Sequence, residues 1–321
     1  MAKATRSTGL GLVFAGSAAA CWGCSISLSK AALLHTGPVP LLFFQLAISN
    51  AVLWGFGRPA KRPGAWRRYF AVGLLEPGLA YFLALIGLSW TTATAASLIG
   101  ASEALMVVVL SAVIHRERVD ATILGFAIIG LAAALPLLGV FGGFSLGSGA
   151  SVIGNVFVLL GTGSAAVYVV ITHSLVNNES ALAVLAWQQL SSLLLAAMLF
   201  LVSELIGRTS TQWNEITILD VCLWALSGFL QYTAAFYLYL RSLQYMKTAV
   251  AGMALNLIAV FGIVSAMLFL GERPGLPSIC SGIVIIGCVA GVAVIGSWKA
   301  GRCPSDKVDV DSLRDGPPRN R

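Results

Sequence analysis

Charge is scarce in this chain. Lys and Arg supply 20 side chains and Asp and Glu supply 13, together 10% of 321 residues. A soluble domain carries roughly a quarter, so most of this chain cannot present a water-facing surface. Aspartate is missing from the middle of every long apolar run, and the aspartates stand at run ends or in the C-terminal stretch. An intramembrane hydrolase of the aspartyl type therefore lacks its acid. No H-E-x-x-H occurs, and His35, His115 and His173 stand near run ends, which leaves no zincin site and no buried Ser–His pair. There is no G-x-x-x-x-G-K-[ST] loop and no polar segment long enough to fold into a nucleotide-binding domain. Cysteines number six. Cys21 and Cys24 have C-x-x-C spacing, but they lie inside the first apolar run without two further ligands, and they read as small packing residues. Neither a metal nor a cofactor is expected. The chain is read as no enzyme.

Apolar residues fill the space that charge leaves. They make up 58% of the chain and recur in stretches of about 20 residues, each able to cross a hydrocarbon core of about 30 Å. Ten such runs are expected to span: 9–33, 38–57, 68–88, 93–114, 121–139, 150–174, 181–206, 216–241, 248–270 and 277–298. All should be helices, because lipid offers open backbone groups no partner. The first run is too long for the apolar core of a cleaved signal peptide. The stretch from Pro304 onward is polar and Pro-containing, and it reads as a disordered tail.

The basic residues orient the chain. With a cytoplasmic N-terminus, 17 of the 20 Lys and Arg fall on the cytoplasmic side, and Lys30, Arg208 and Arg273 fall on the other. This bias follows the positive-inside rule and places both termini in the cytoplasm. The net charge of +7 is thus a record of topology. A nucleic-acid partner would require a basic face on a folded domain. The expected partners are the lipid bilayer and a small-molecule substrate, with no nucleotide. The sequence leaves the oligomeric state open.

The chain also repeats itself. Residues 73–118 align without a gap on residues 228–273, 155 positions later. Both copies end in Glu-Arg, Glu117-Arg118 and Glu272-Arg273. Both are followed by paired glycines, Gly125 and Gly130, then Gly282 and Gly287. Most other identities are Leu, Ala, Gly or Val, so the argument rests on the Glu-Arg pair, the glycines and the missing gap. Five spans per copy make the second copy run upside down. The fold class expected is an all-α integral membrane protein of ten transmembrane helices, built as a five-plus-five inverted repeat. Its parts are a cytoplasmic stub at 1–8, a first repeat at 9–139, a second at 150–298 and a cytoplasmic tail at 299–321.

These residues carry a resemblance. Trp22-Gly23 followed by Lys30, Glu117-Arg118 with Gly125 and Gly130, and Leu270-Gly271-Glu272-Arg273 with Gly282 and Gly287 together resemble the EamA-type carriers of the drug/metabolite transporter superfamily. The resemblance covers roughly residues 9–298 and is greatest to the bacterial aromatic-amino-acid exporters. It implies a secondary transporter in a bacterial-type inner membrane that exports amino acids or related metabolites. The chain departs from the pattern at Gln45 and Gln189, where the second helix of each half often carries Arg.

Polar groups inside the runs are the candidates for function. An ionisable side chain at the bilayer centre costs about 3 kcal/mol on insertion scales. Glu76 and Glu103 lie near the middle of the third and fourth runs and are the substrate-binding and proton-coupling candidates. Glu76 precedes Pro77 and Gly78, a sequence that bends or breaks a helix. The plainer alternative is a neutral acid bonded to a neighbouring helix. Gln231 matches Glu76 in the second copy, and Asn256 lies two residues before Ile258, the match of Glu103. Both amides suit a substrate, or interhelical hydrogen bonds. Aromatic residues within the runs include Trp22, Tyr81, Tyr168, Trp187, Tyr232, Phe236 and Tyr239. Of these, Trp22, Tyr81, Tyr168, Trp187 and Tyr232 join the substrate-binding set. Trp54, Trp66, Trp90, Trp213 and Trp298 read as an interfacial belt. Lys30 is read as an anion attractor or a snorkelling side chain. Glu272 is read as a cap or a partner of Arg273.

Overall fold

The computed structural model describes residues 2–56, 66–114, 120–138, 152–172, 181–207, 211–243, 245 and 257–300. Every regular element among them is helical. Seven helical segments are long and apolar enough to cross a membrane: Gly9–Ala32, Pro38–Gly55, Trp66–Trp90, Ala93–Ile114, Val152–Ile171, Leu182–Leu205 and Ile218–Tyr239. Three shorter apolar helices, Ala121–Ala134, Leu257–Leu270 and Leu276–Val292, complete the order. In sequence these are the first to tenth spans, with the short helices fifth, ninth and tenth. Parts of the expected sixth and ninth runs, and the Glu117-Arg118 pair, lie outside the described residues.

The ends of the helices are set by local chemistry. Thr92 accepts a hydrogen bond from Ala95 N and caps the fourth span at 3.0 Å. Asp120 caps the fifth through Thr122 N at 3.0 Å. Thr217 and Asp220 form a reciprocal capping box at the start of the eighth. Gly207 and Gly271 end the seventh and ninth spans with φ of 66° and 64°, a conformation that favours glycine.

The spans pack in matched pairs. The third lies on the sixth and the eighth on the first. The fourth lies on the sixth and the ninth on the first. The third meets the seventh and the eighth meets the second. The second and seventh, fourth and ninth, and fifth and tenth pair with each other. Exchanging the halves reproduces this pattern, as a pseudo-two-fold relation demands. With five spans in each half, the second half runs in the opposite sense. The fold is therefore an all-helical, ten-span inverted repeat.

Close approach at the crossings depends on small residues. A Cβ on Gly228 would stand 2.7 Å from Gln45 Cα and 2.8 Å from Gln45 O. The equivalent Gly73 lies against the Gln188 backbone in the same way. A polar seam crosses these interfaces. Gln45 and Gln189 are fully buried. Gln45 Nε2 donates to Ser29 Oγ at 2.9 Å and to Ser227 Oγ at 2.7 Å. Ser49 Oγ donates to Gln189 Oε1 at 2.6 Å, and Gln189 Nε2 donates to the Tyr232 carbonyl at 2.5 Å. Two positions where a cation would need a counterion thus hold amides that satisfy neighbouring helices.

Candidate functional site

The third and eighth spans are interrupted at the same place. A π-helical turn occupies Leu74–Leu79 in the third span and Phe229–Ala234 in the eighth, 155 residues apart at both ends. In the third the interruption is a true break: Glu76 has φ −142° and ψ 128°, an extended conformation inside a helix. Pro77 accounts for it, because its ring excludes the helical conformation from the residue before it and it has no N–H to donate. The Glu76–Pro77 peptide bond is cis. In the eighth span no proline is present, and the turn begins one residue after Gly228, which packs on the second span. The fourth span only tightens by one turn. Its two helical pieces, Ala93–Ala101 and Glu103–Ile114, meet at Ser102, whose hydroxyl donates back to Ile99 O at 2.6 Å. The sequence predicts one continuous span here, and the backbone stays helical through Ser102, with φ −73° and ψ −9° and Met106 N donating to Ser102 O at 3.0 Å. Glu76 therefore sits at a break in its helix and Glu103 beside a tightened turn.

The breaks bring side chains from both halves together. Glu76 and Glu103 interact electrostatically across the third and fourth spans. Glu76 is buried, at 8% exposure. Tyr81, on the third span, interacts with Glu76, Glu103 and Trp22. Its ring packs edge-on against Tyr232 of the eighth span, with centroids 5.0 Å apart. Tyr232 also interacts with Glu76. Trp22, on the first span, packs edge-on against Phe236 at 5.0 Å and lies 6.0 Å from Tyr239. Tyr239 in turn interacts with Glu103.

Two buried polar atoms in this cluster have no hydrogen-bond partner among the described residues, Glu76 Oε2 and the Tyr232 hydroxyl. Such atoms are rare in a protein interior and ask for a ligand, a water or a second conformation.

Of the expected site residues, Trp22, Glu76, Pro77, Tyr81, Glu103 and Tyr232 come to this region, and Gln231 is buried in the π-helical turn of the eighth span. Tyr168 lies to one side, donating to Gln188 Oε1 at 3.2 Å, beside the Gly73 crossing. Trp187 lies elsewhere. Its ring meets Trp54 at 5.9 Å and Trp66 at 5.5 Å, at one end of the bundle. Asn256 falls outside the described residues. Phe236 and Tyr239 belong to the cluster and were read only as aromatics within a span. Their signal was the spacing, since residues 232, 236 and 239 share one helix face.

Two further expectations find concrete partners. Glu272, at the end of the ninth span, accepts from Ala93 N at 2.7 Å and from Thr94 N at 2.8 Å. It caps the fourth span of the other half. Lys30 Nζ donates to Leu88 O at 2.8 Å and to Ser89 O at 3.4 Å, and interacts with Glu272. At the same end His35 Nδ1 lies 3.1 Å from Asp220 Oδ1, and Trp224 Nε1 donates to Thr36 Oγ1 at 2.9 Å. These contacts join the first and eighth spans across the halves. Among the described residues, no group of three His, Cys, Asp or Glu could hold a metal ion.

The profile of the EamA-like transporter family matches this chain twice, over residues 9–139 and 152–296. The chain belongs to the EamA-like transporter family. A solved crystal structure shares the fold with a TM-score of 0.61 at 19% identity, covering 92% of this chain and 98% of the other. Comparison with curated proteins gives no match. An EamA-like protein is a multi-pass membrane protein that transports small molecules, so this chain has a small solute and lipid as its partners.

Proposed function

We propose that this protein is a secondary carrier that exports small organic solutes, amino acids (aromatic ones included) or related metabolites, from a bacterial cell across its inner membrane. Alternating access around a central cavity is the mechanism proposed, with the halves 9–139 and 150–298 moving against each other and both termini in the cytoplasm. The observation that supports it best is the placement of the cluster. Two carboxyl groups of one half, Glu76 at a helix break, interact with Tyr232 and Tyr239 of the other half. Interrupted helices at a repeat interface are where inverted-repeat carriers hold their cargo. A charge moved between the two openings would be bound at such a site, and Glu76 and Glu103 are the proposed carriers of a coupling proton. A drug exporter of the same fold is the second reading, supported by the aromatic share of the site.

Purified protein in liposomes tests this directly. A labelled panel of phenylalanine, tryptophan, threonine and methionine should show saturable, self-competed flux. A pH gradient should alter that flux, and Glu76→Gln or Glu103→Gln should remove the alteration. Flux that never saturates would indicate a pore. Unchanged gradient dependence in both variants would remove both glutamates as proton carriers.

A further inference from the structure

The turn between the third and fourth spans, at 90–92, is gripped from both sides by unlike charges. Lys30 Nζ, near the end of the first span, donates to Leu88 O and Ser89 O. These are among the last carbonyls of the third span, the negative end of its dipole. Glu272, just past the ninth span, accepts from Ala93 N and Thr94 N with one carboxylate oxygen each. These are the first amides of the fourth span, the positive end of its dipole. Lys30 and Glu272 also attract each other. Lys30 and the turn belong to one half, so the Glu272 carboxylate is the group that reaches across. The fourth span does not need it to hold its own first turn. Thr92 already caps that turn through Ala95 N, and Ala96 N donates to Thr92 O. The contact of Glu272 is therefore separable from the helix it touches.

The grip stands over the candidate site. Lys30 lies eight residues beyond Trp22 on the first span, and Ala93 lies ten residues before Glu103 on the fourth. At a helical rise of about 1.5 Å per residue these steps are about 12 Å and about 15 Å. The site and the grip thus share two spans, with the grip nearer one end of the bundle. We propose that Lys30 and Glu272 form an electrostatic gate that closes the candidate site at the end of the bundle where Lys30 stands, and that release of the Glu272 carboxylate from the fourth-span amides opens it. The inference rests on the transport reading of the cluster and names the residues that hold one side shut. When the spans part, water reaches the two freed amides, so opening leaves no N–H without a partner. A contact made in the closed state and lost in the open one biases the balance by its own strength. Once Glu272 is gone, Lys30 ties only spans of its own half.

The test reads how the cluster is reached from each face of the membrane. In a background without native cysteines, Phe236→Cys places a thiol beside Trp22. A membrane-impermeant methanethiosulfonate is applied to intact cells and to inverted membrane vesicles, which present opposite faces. Labelling from the face that bears Lys30 should be slow. Glu272→Gln or Lys30→Met should speed it from that face at least about fivefold. The two combined should exceed the larger single effect by less than about twofold, because they act as one grip. Arg273→Gln, at an exposed neighbouring position, is the control and should leave the rate unchanged. An unchanged rate in both Glu272→Gln and Lys30→Met overturns the proposal. So does equal acceleration from both faces, which marks a loosened bundle and not an opened gate. Should Glu272→Gln fail to reach the membrane, Lys30→Met alone decides by the same criteria. Saturable flux of the four-amino-acid panel is measured separately on the unmodified chain. Flux with unchanged labelling in the variants removes the gate and keeps the carrier. Faster labelling without flux of any panel member keeps the gate and removes the amino-acid cargo.

Discussion

Gly73 and Gly228 show at residue scale how the repeat is enforced. They are equivalent positions 155 residues apart, and each lets a span rest on the backbone beside a glutamine of the opposite half. In Gly228→Ala the added methyl would meet Gln45 backbone, which cannot yield as a flexible side chain would. The expected cost is about 1–3 kcal/mol, read as a lower unfolding midpoint in detergent. Gly163→Ala is the control, since nothing lies within 4 Å of its Cβ. It should be neutral or stabilising by about 0.5–1 kcal/mol, as alanine suits a helix better. Equal destabilisation by both would refute the close-packing account. Gln45 and Gln189 teach a related lesson. In the sequence they stand out as departures from an arginine pattern. In the structure they are amides bonded to Ser29, Ser227, Ser49 and the Tyr232 carbonyl. Nothing in their own neighbourhood of sequence names those partners, which lie up to 182 residues away.

At the scale of the element, the third and eighth spans are a natural comparison. Both carry a π-helical turn in the same register, but only the third has a proline and an extended residue. The bend at Glu76-Pro77-Gly78 was legible because proline carries its own backbone rule. The turn at Phe229–Ala234 was not, because every residue in it tolerates a regular helix and only packing diverts it. Pro77→Ala restores the missing backbone donor and should let the third span run as one helix. Glu76 would then rotate out of the cluster. Flux should fall at least about tenfold while the unfolding midpoint holds or rises, since a continuous helix gains hydrogen bonds. Full flux in this variant would show that the break is not required.

For the whole molecule, the question is what the two halves do to each other. Ser27 of the first span and Ser265 of the ninth lie buried with their hydroxyl oxygens 2.7 Å apart. Near the same end, Glu272 caps the fourth span and His35 faces Asp220. If alternating access opens this end, holding these spans together should stop it. In a background without native cysteines, Ser27→Cys combined with Ser265→Cys brings two sulfurs within bonding range. Oxidation should abolish saturable flux and a reductant should restore it, with each single variant unaffected by either treatment. Undiminished flux in the oxidised double variant would mean that this pair stays closed throughout the cycle.

Scarce charge, ten apolar runs and a gapless internal match determined that this chain is a helical membrane protein made twice. Those features act through composition and periodicity, and lipid leaves the backbone no choice but the helix. Glu76, Glu103 and the break at Pro77 were also visible, since a buried acid and a mid-span proline are each costly enough to stand out. Tertiary structure alone decided which candidates meet. It gathered Trp22, Tyr81, Tyr232, Phe236 and Tyr239 around the two acids and left Trp187 with Trp54 and Trp66. It also chose between the two readings of Glu272, cap or partner of Arg273, by giving it a helix of the other half to cap. The physical reason is common to all three outcomes. These contacts join spans far apart in the chain, and their partners are set by the crossing of the two halves, which no local pattern records.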